Sequence, residues 1–348
     1  MAAFKVGVTR DFLKPDGTVG FGDVGFALLD AAEGVEWEYL AEDTRELRPD
    51  QIEGYDGLVA LAPRVTAPSL AGADRLAVLA RFGVGYDNVD VAACTERGVL
   101  LTITPDGVRR PMATTVLAFL LALSLRLVEK DRLTRAGGWA RKLDYMGSGV
   151  TGRTLGLIGL GNIGREVVRI TAPLEMRYLA HDPYVSADEA AKLGVEWVEL
   201  DELLRRSDYV TVLCALTPET HHLLDAGRLA LMKPTAYLIN AARGPIVDQA
   251  ALTSALRERR IAGAGLDVFE QEPVAPDDPI LALENVIVTP HALCWTDEMA
   301  HLNGQSACRA VLDVAAGRVP QYVVNRDAIE TPLVREKLAR HAARGGDG

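Results

Sequence analysis

The chain has 348 residues, 49% of them hydrophobic and 24% charged, which is the composition of a soluble globular protein and a length suited to two domains rather than one core. With 48 acidic and 37 basic residues the formal net charge is −11, which excludes bulk attraction to nucleic acid or to an anionic membrane and leaves any anionic ligand to a few local basic groups. The four cysteines, Cys94, Cys214, Cys294 and Cys308, are widely spaced with no CxxC or Cys/His cluster, which argues against a zinc site or any other metal centre and against a disulfide framework.

In chain order, Lys5–Val8 and Gly57–Leu61 read as the first strands. Thr104-Pro105-Asp106-Gly107 is turn chemistry ahead of a long helix expected to start near Met112. That helix contains the longest apolar run, Val116–Leu123, which Ser124 and Arg126 interrupt; it is too short to span a bilayer and reads as a buried helix. The start MAAFKVGVTR has no signal-like apolar segment, so the cytoplasm is the default compartment. Further strands are expected at Leu155–Gly159, Arg177–Ala180, Tyr209–Leu213, Ala236–Asn240, Gly263–Asp267 and Val286–Thr289. Helical patterns fall between them at Gly164–Ala172, Leu200–Arg206 and Gln249–Arg259. The alternation predicts an α/β protein with parallel sheets covered by helices on both faces. The charged, alanine-rich tail Arg335–Gly348 reads as a frayed helix.

The run Gly159-Leu160-Gly161-Asn162-Ile163-Gly164 carries G-x-G-x-x-G between a strand and a helix. Gly159 permits the tight turn, Gly161 lets the backbone approach a pyrophosphate, and Gly164 lets helix and strand pack closely. The helix N-terminus offers free N–H groups and the positive end of its dipole to phosphates. The next strand ends at Asp182, 18 residues beyond Gly164, where a carboxylate accepts from ribose hydroxyls. Asp182 would repel a 2′-phosphate and no arginine immediately follows it, which favours NAD over NADP.

Three later segments also sit at strand ends, around Arg243, Glu272 and His291. In open α/β sheets ligands bind beyond the carboxyl ends of the strands, so these side chains can converge on a nicotinamide. Hydride transfer to a ketone needs a cation for the substrate carboxylate, an acid for the developing alkoxide, and a partner that orients the acid. Arg243 suits the first role through planar, bidentate pairing; His291 suits the second and Glu272 the third. Each also has a plainer reading. Arg243 could be a solvated arginine at a turn, Glu270 rivals Glu272 from two residues away, and a lone histidine is more often structural.

Together these residues resemble the D-isomer-specific 2-hydroxyacid dehydrogenases from about residue 55 to 326. Arg81-Phe82-Gly83-Val84-Gly85-Tyr86-Asp87-Asn88-Val89-Asp90 is similar to that family's R-x-G-x-G-x-D-N-[IV]-D, and the cofactor loop, Leu216–Thr220, Met232–Pro234, Asn240–Gly244, Leu266–Phe269 and Glu272-Pro273 follow in the family's order. The resemblance implies two doubly wound Rossmann-like domains with the active site in the cleft between them: residues 1–106 plus 297–348 for substrate and 107–296 for NAD. It implies a catalytic trio of Arg243, Glu272 and His291, a nicotinamide carboxamide contact at Asp267, and substrate-carboxylate N–H donors at Val84 and Gly85. Further cofactor contacts are implied at Asn162, Ile163, Ala241 and Ala242, with Cys214 as a small wall beside the adenosine. A homodimer joined near 113–150 is implied, and a C-terminal helix over Thr296–Ala316 that returns to the first domain.

The chain departs from the family in places. Ala60 stands where phosphoglycerate dehydrogenases tend to have arginine, with Arg64 offset, which lowers the expectation of a phosphorylated substrate. Arg109-Arg110 replaces the family's usual sequence and reads first as a solvated pair, although a basic pair at a helix start opposes the dipole and invites a partner. Leu293 and Trp295 fill a segment that is often H-x-G-x-x-T, making Trp295 a candidate for shaping the substrate pocket. No appended regulatory domain is expected. The leading reading is an NAD-dependent reductase or dehydrogenase that acts on a small 2-keto or 2-hydroxy acid. Its rivals are oxidation of another small anion such as formate or phosphite, although formate enzymes usually pair the histidine with glutamine, and an NADH-sensing corepressor-like binding protein.

Overall fold

The computed structural model describes residues 3–345, and the chain divides into two compact units, Met1–Val108 with Trp295–Gly348, and Arg109–Cys294. The last three residues of the charged tail lie outside the described residues.

The first unit is built on five parallel strands, β1 (Phe4–Val8), β2 (Val35–Tyr39), β3 (Gly57–Ala60), β4 (Val78–Arg81) and β5 (Leu100–Thr102), in the order β2-β1-β3-β4-β5. β3 is buried along its whole length, so it carries apolar residues on both faces, as a central parallel strand requires. β2 lies at the edge, half-exposed, with Glu36 and Glu38 facing outward between Val35, Trp37 and Tyr39. The Asp297–Ala315 helix covers this sheet with Met299, Ala300, Ala307, Cys308, Val311 and Val314. Thr296 caps it by accepting from the Met299 N–H at 3.2 Å.

The tail is a docked helix rather than a frayed one. Pro332–Gly345 buries Val334, Lys337, Leu338 and His341, and these residues recur at helical spacing on one face. Lys337 Nζ donates to the carbonyls of Leu76 and Arg97 at 2.6 and 2.7 Å, and the His341 ring meets Phe4 edge-on.

The second unit has seven parallel strands: β6 (Thr154–Ile158), β7 (Arg177–His181), β8 (Glu196–Trp197), β9 (Tyr209–Val212), β10 (Tyr237–Asn240), β11 (Gly263–Leu266) and β12 (Val286–Val288). Their order is β12-β11-β10-β9-β6-β7-β8, so the chain reverses direction across the sheet between β6 and β9. The reversal lies at the glycine loop, where a doubly wound sheet opens its ligand crevice. The long helix starts at Pro105, not near Met112, and runs to Ser124. Proline presets the helical φ at a first position where its missing N–H costs nothing, and Asp106 complements the dipole there. Thr104-Pro105-Asp106-Gly107 is therefore a helix start and not a turn. Phe119 from this helix packs onto β11 so closely that a Cβ on Gly265 would lie 2.6 Å from its ring. No single helix among the described residues is long and apolar enough to cross a membrane.

Candidate active site

The glycine loop follows β6. Gly159 has φ 106, open to glycine, and a Cβ there would lie 2.9 Å from the Cys214 nitrogen. A Cβ on Gly164 would lie 2.5 Å from the Gly159 carbonyl oxygen, so the Asn162–Thr171 helix could not sit as close to β6 with any larger residue. Gly161, by contrast, faces open space. No side chain caps this helix, which leaves the N–H groups of Asn162 and Ile163 for an anion. Asp182 closes the loop from the end of β7, with Oδ2 accepting from the Leu160 N–H at 2.8 Å and Oδ1 from the Tyr184 N–H at 2.9 Å. Each oxygen keeps a further lone pair for a diol. Cys214 borders the loop, and burial pushes its thiol up to about 11, so it stays protonated at neutral pH. These residues fit a dinucleotide. The expected pair Arg109 and Arg110 divides: Arg109 is exposed, whereas Arg110 Nε pairs at 3.2 Å with Glu166, a buried residue of the Asn162–Thr171 helix that Arg169 also holds. Arg110 is thus not merely a solvated residue.

The three strand ends bring their side chains together within the second unit. His291 Nδ1 lies 2.7 Å from Glu272 Oε2, and Glu272 Oε1 accepts from the Phe269 N–H at 3.0 Å. Burial alone would raise the Glu272 carboxyl, but the bond and charge of His291, the Phe269 N–H and the charge of Arg243 outweigh it, holding the group below the usual carboxylate value. The Arg243 turn follows β10, fixed by Asn240, whose Nδ2 donates to the Arg243 carbonyl at 3.0 Å and whose Oδ1 accepts from the Ala242 N–H at 3.1 Å. Gly244 abuts the Phe269-Glu270 backbone with no room for a Cβ, which places Arg243 beside the segment that carries Glu272. Ala241 is buried and Ala242 half-buried in this turn.

Asp267 does more than sequence reasoning assigned to it. Its Oδ1 accepts from Thr289 Oγ1 at 2.6 Å, the Ala292 N–H at 3.0 Å and the Leu293 N–H at 3.2 Å. It therefore shapes the loop in which His291 holds a left-handed φ of 55°, and its Oδ2 has only a 3.4 Å contact with Leu293. The rivalry between the two glutamates is resolved by geometry, since Glu270 pairs with His222 and not with His291. That second histidine–carboxylate pair ties the loop before Leu224 to the segment that carries Glu272, and nothing in the sequence pattern signalled it.

In the first unit, the turn after β4 presents Val84 and Gly85, whose N–H groups meet no acceptor among the described residues. Trp295, 51% exposed, stacks on Phe21 at 4.7 Å between ring centroids, and Phe21 in turn contacts Phe82 in that turn.

A model of the NAD-binding domain of the D-isomer specific 2-hydroxyacid dehydrogenases matches residues 117–292. A glyoxylate reductase of Korarchaeum cryptofilum is 39% identical over 298 residues, covering 84% of this chain and 90% of the relative. The chain belongs to this family. It is an NAD-dependent 2-hydroxyacid oxidoreductase. Among solved structures, a protein of Thermus thermophilus is 34% identical with a TM-score of 0.81, covering 92% of this chain and 99% of the other. A D-lactate dehydrogenase of Aquifex aeolicus, solved with NAD and lactic acid, is 28% identical with a TM-score of 0.78, covering 90% and 96%.

Proposed function

We propose that the enzyme interconverts a small 2-oxo acid and its D-2-hydroxy acid, with His291 as the acid and base. The observation that carries this reading is the 2.7 Å pair between His291 Nδ1 and Glu272, which leaves the other ring nitrogen, Nε2, to face a substrate oxygen. In reduction, bound NADH supplies hydride to C2. The oxygen at C2 takes its proton from His291 Nε2, and Glu272 balances the imidazolium in the reverse direction. Arg243 binds the carboxylate and polarises the carbonyl, while the N–H groups of Val84 and Gly85 hold the carboxylate. Asp267 Oδ2 receives the nicotinamide carboxamide, Asp182 the adenosine ribose, and Gly159, Gly161, Asn162, Ile163 and Gly164 the pyrophosphate, with Ala241, Ala242 and Cys214 lining the cofactor. Residues 1–106 with 297–348 serve the substrate and 107–296 the NAD. Small 2-oxo acids suit the glyoxylate reductases among the relatives, and Trp295 with Phe21 provides the apolar wall against the substituent on C2, hydrogen in glyoxylate and carbon in larger acids. A second copy of the chain covers the exposed apolar residues Leu125, Leu127, Trp139, Leu143 and Met146, forming a homodimer.

The test is NADH oxidation against glyoxylate, pyruvate, hydroxypyruvate and phenylpyruvate, in the wild type, His291→Ala and Trp295→Ala. His291→Ala loses turnover and keeps NADH binding; Trp295→Ala changes the ranking of the acids. No turnover of any acid by a wild type that binds NADH tightly would refute the reading.

A further inference from the structure

We infer that Thr104 and Asn303 are positioning residues for the substrate-carboxylate turn. The inference rests on the proposed role of Val84 and Gly85. Gly83, at φ 134, begins the turn after β4. Its N–H donates to Thr104 Oγ1 at 2.7 Å, and its carbonyl accepts from the Thr104 N–H at 2.9 Å. The same hydroxyl lies 2.9 Å from Asn303 Oδ1 on the Asp297–Ala315 helix, while Asn303 Nδ2 lies 2.9 Å from the Met299 sulfur. Thr104 and Asn303 are both 1% exposed.

The donor count makes this a directed chain. A hydroxyl has one proton, and Asn303 Oδ1 can only accept, so Thr104 spends its proton on Asn303 and must accept from Gly83. The Gly83 N–H is therefore consumed inside the protein. The next two N–H groups, of Val84 and Gly85, have no acceptor among the described residues. The turn thus presents two adjacent donors, matching the two oxygens of a carboxylate, and their aim is set by a bond made one residue earlier. Asn303 has no freedom to follow a displaced turn, because Gly107 packs against it with no space for a Cβ. The chain Gly83–Thr104–Asn303 ties the turn to the helix that begins directly after Trp295.

A carboxylate is held equally in the bound substrate and at the transition state. Misaiming its donors therefore weakens uniform binding, raising KM while leaving kcat largely intact. A residue that only supports the fold would lower stability without that split.

The experiment uses the full-length enzyme and the 2-oxo acid that it turns over fastest. Thr104→Val keeps the shape and removes the hydroxyl. It is expected to raise KM about tenfold or more, with kcat within about threefold and the NADH Kd within about twofold of wild type. Thr104→Ser restores KM to within about threefold. Native-state hydrogen exchange gives a readout independent of turnover, since the Gly83 amide is protected in the wild type and exchanges faster in Thr104→Val. A wild type that turns over no 2-oxo acid while Gly83 shows this protection defeats the functional reading and not the brace. An unchanged KM in folded Thr104→Val overturns the inference, and so does a parallel loss of kcat and NADH affinity. Should Thr104→Val fail to fold, Asn303→Ala carries the test, and a wild-type KM there overturns it equally.

Discussion

Glu272→Gln separates an orienting carboxylate from a bystander. In the structure Glu272 accepts at both oxygens, from the Phe269 N–H at 3.0 Å and from His291 Nδ1 at 2.7 Å. Glutamine has one amide oxygen and one NH2 group, so it can preserve only one of these bonds. With the oxygen toward His291, the NH2 opposes the Phe269 N–H; with the oxygen toward Phe269, the NH2 imposes on His291 the tautomer that accepts at Nδ1. A hydrogen bond to a charged group contributes about 1.5–3 kcal/mol. The side chains of His291 and Glu272 are 44% and 36% exposed, so solvent screening favours the lower end, about 1.5 kcal/mol, or roughly tenfold in rate. We therefore expect kcat to fall about 10- to 30-fold in Glu272→Gln with NADH affinity unchanged, measured by steady-state oxidation of NADH and by fluorescence titration. Glu270→Gln is the internal control. Glu270 pairs with His222, so this variant should keep kcat within about threefold. Equal losses in the two variants, or none in Glu272→Gln, would refute the assignment of Glu272 as the partner of His291.

Asp182→Ser removes the charge opposing a 2′-phosphate, and the ratio of kcat/KM for NADPH over NADH should rise at least tenfold; an unchanged ratio would remove Asp182 from the ribose site. Leu143→Asp with Met146→Asp places two charges on the exposed apolar segment, and sedimentation should shift from dimer to monomer. A wild type that sediments as a monomer at micromolar concentration would sink the dimer outright. Burial lowers the Lys337 ammonium from 10.5 to about 8, with Arg340 and Arg97 adding to the effect against Asp74 and Glu336. Because the charged form is disfavoured in the folded state, Lys337 weakens the fold below pH 8, and its contribution improves by about 3 kcal/mol as pH rises from 8 to 10.5. The measurable quantity is the stability of wild type minus that of Lys337→Met in urea melts across that window, which cancels the opposite titration of the buried tyrosines; parallel curves would contradict it.

What the sequence disclosed follows from how local each signal is. Tyr209–Val212 is buried on both faces and apolar at all but Thr211, as a central parallel strand requires, so four residues suffice to announce it. β2 was not anticipated, because at an edge its Glu36 and Glu38 face outward and dilute the run. The convergence of Arg243, Glu272 and His291 was legible because Arg243 and His291 each sit just past a strand end, within reach of a recognisable apolar run, and Glu272 sits a few residues past another. The tail was misread from its composition, although Val334, Lys337, Leu338 and His341 recur at intervals of three and four residues. Helical spacing there outweighed the alanine and charge content. The helix start at Pro105 was misread because proline and aspartate serve turns and first helical turns equally well.

The bonds that orient the site are of another kind. Thr104 reaches Asn303 across 199 residues, His222 reaches Glu270 across 48, and Asp267 reaches the Thr289–Leu293 loop across 22 to 26. None has a periodicity or a spacing rule, since each pairs elements that the sheet order alone brings together. The groups that would touch substrate and cofactor thus lie at strand ends, where the chain announces them, whereas the groups that aim them are scattered through positions whose chemistry is silent until folding. Two enzymes sharing Arg243, Glu272 and His291 at matching positions can therefore differ in substrate affinity through residues such as Thr104 and Asn303 that no motif contains. The measurement that reveals this is the separation of KM from kcat, because loss of a reacting group lowers kcat whereas loss of its aim on a uniformly bound carboxylate raises KM.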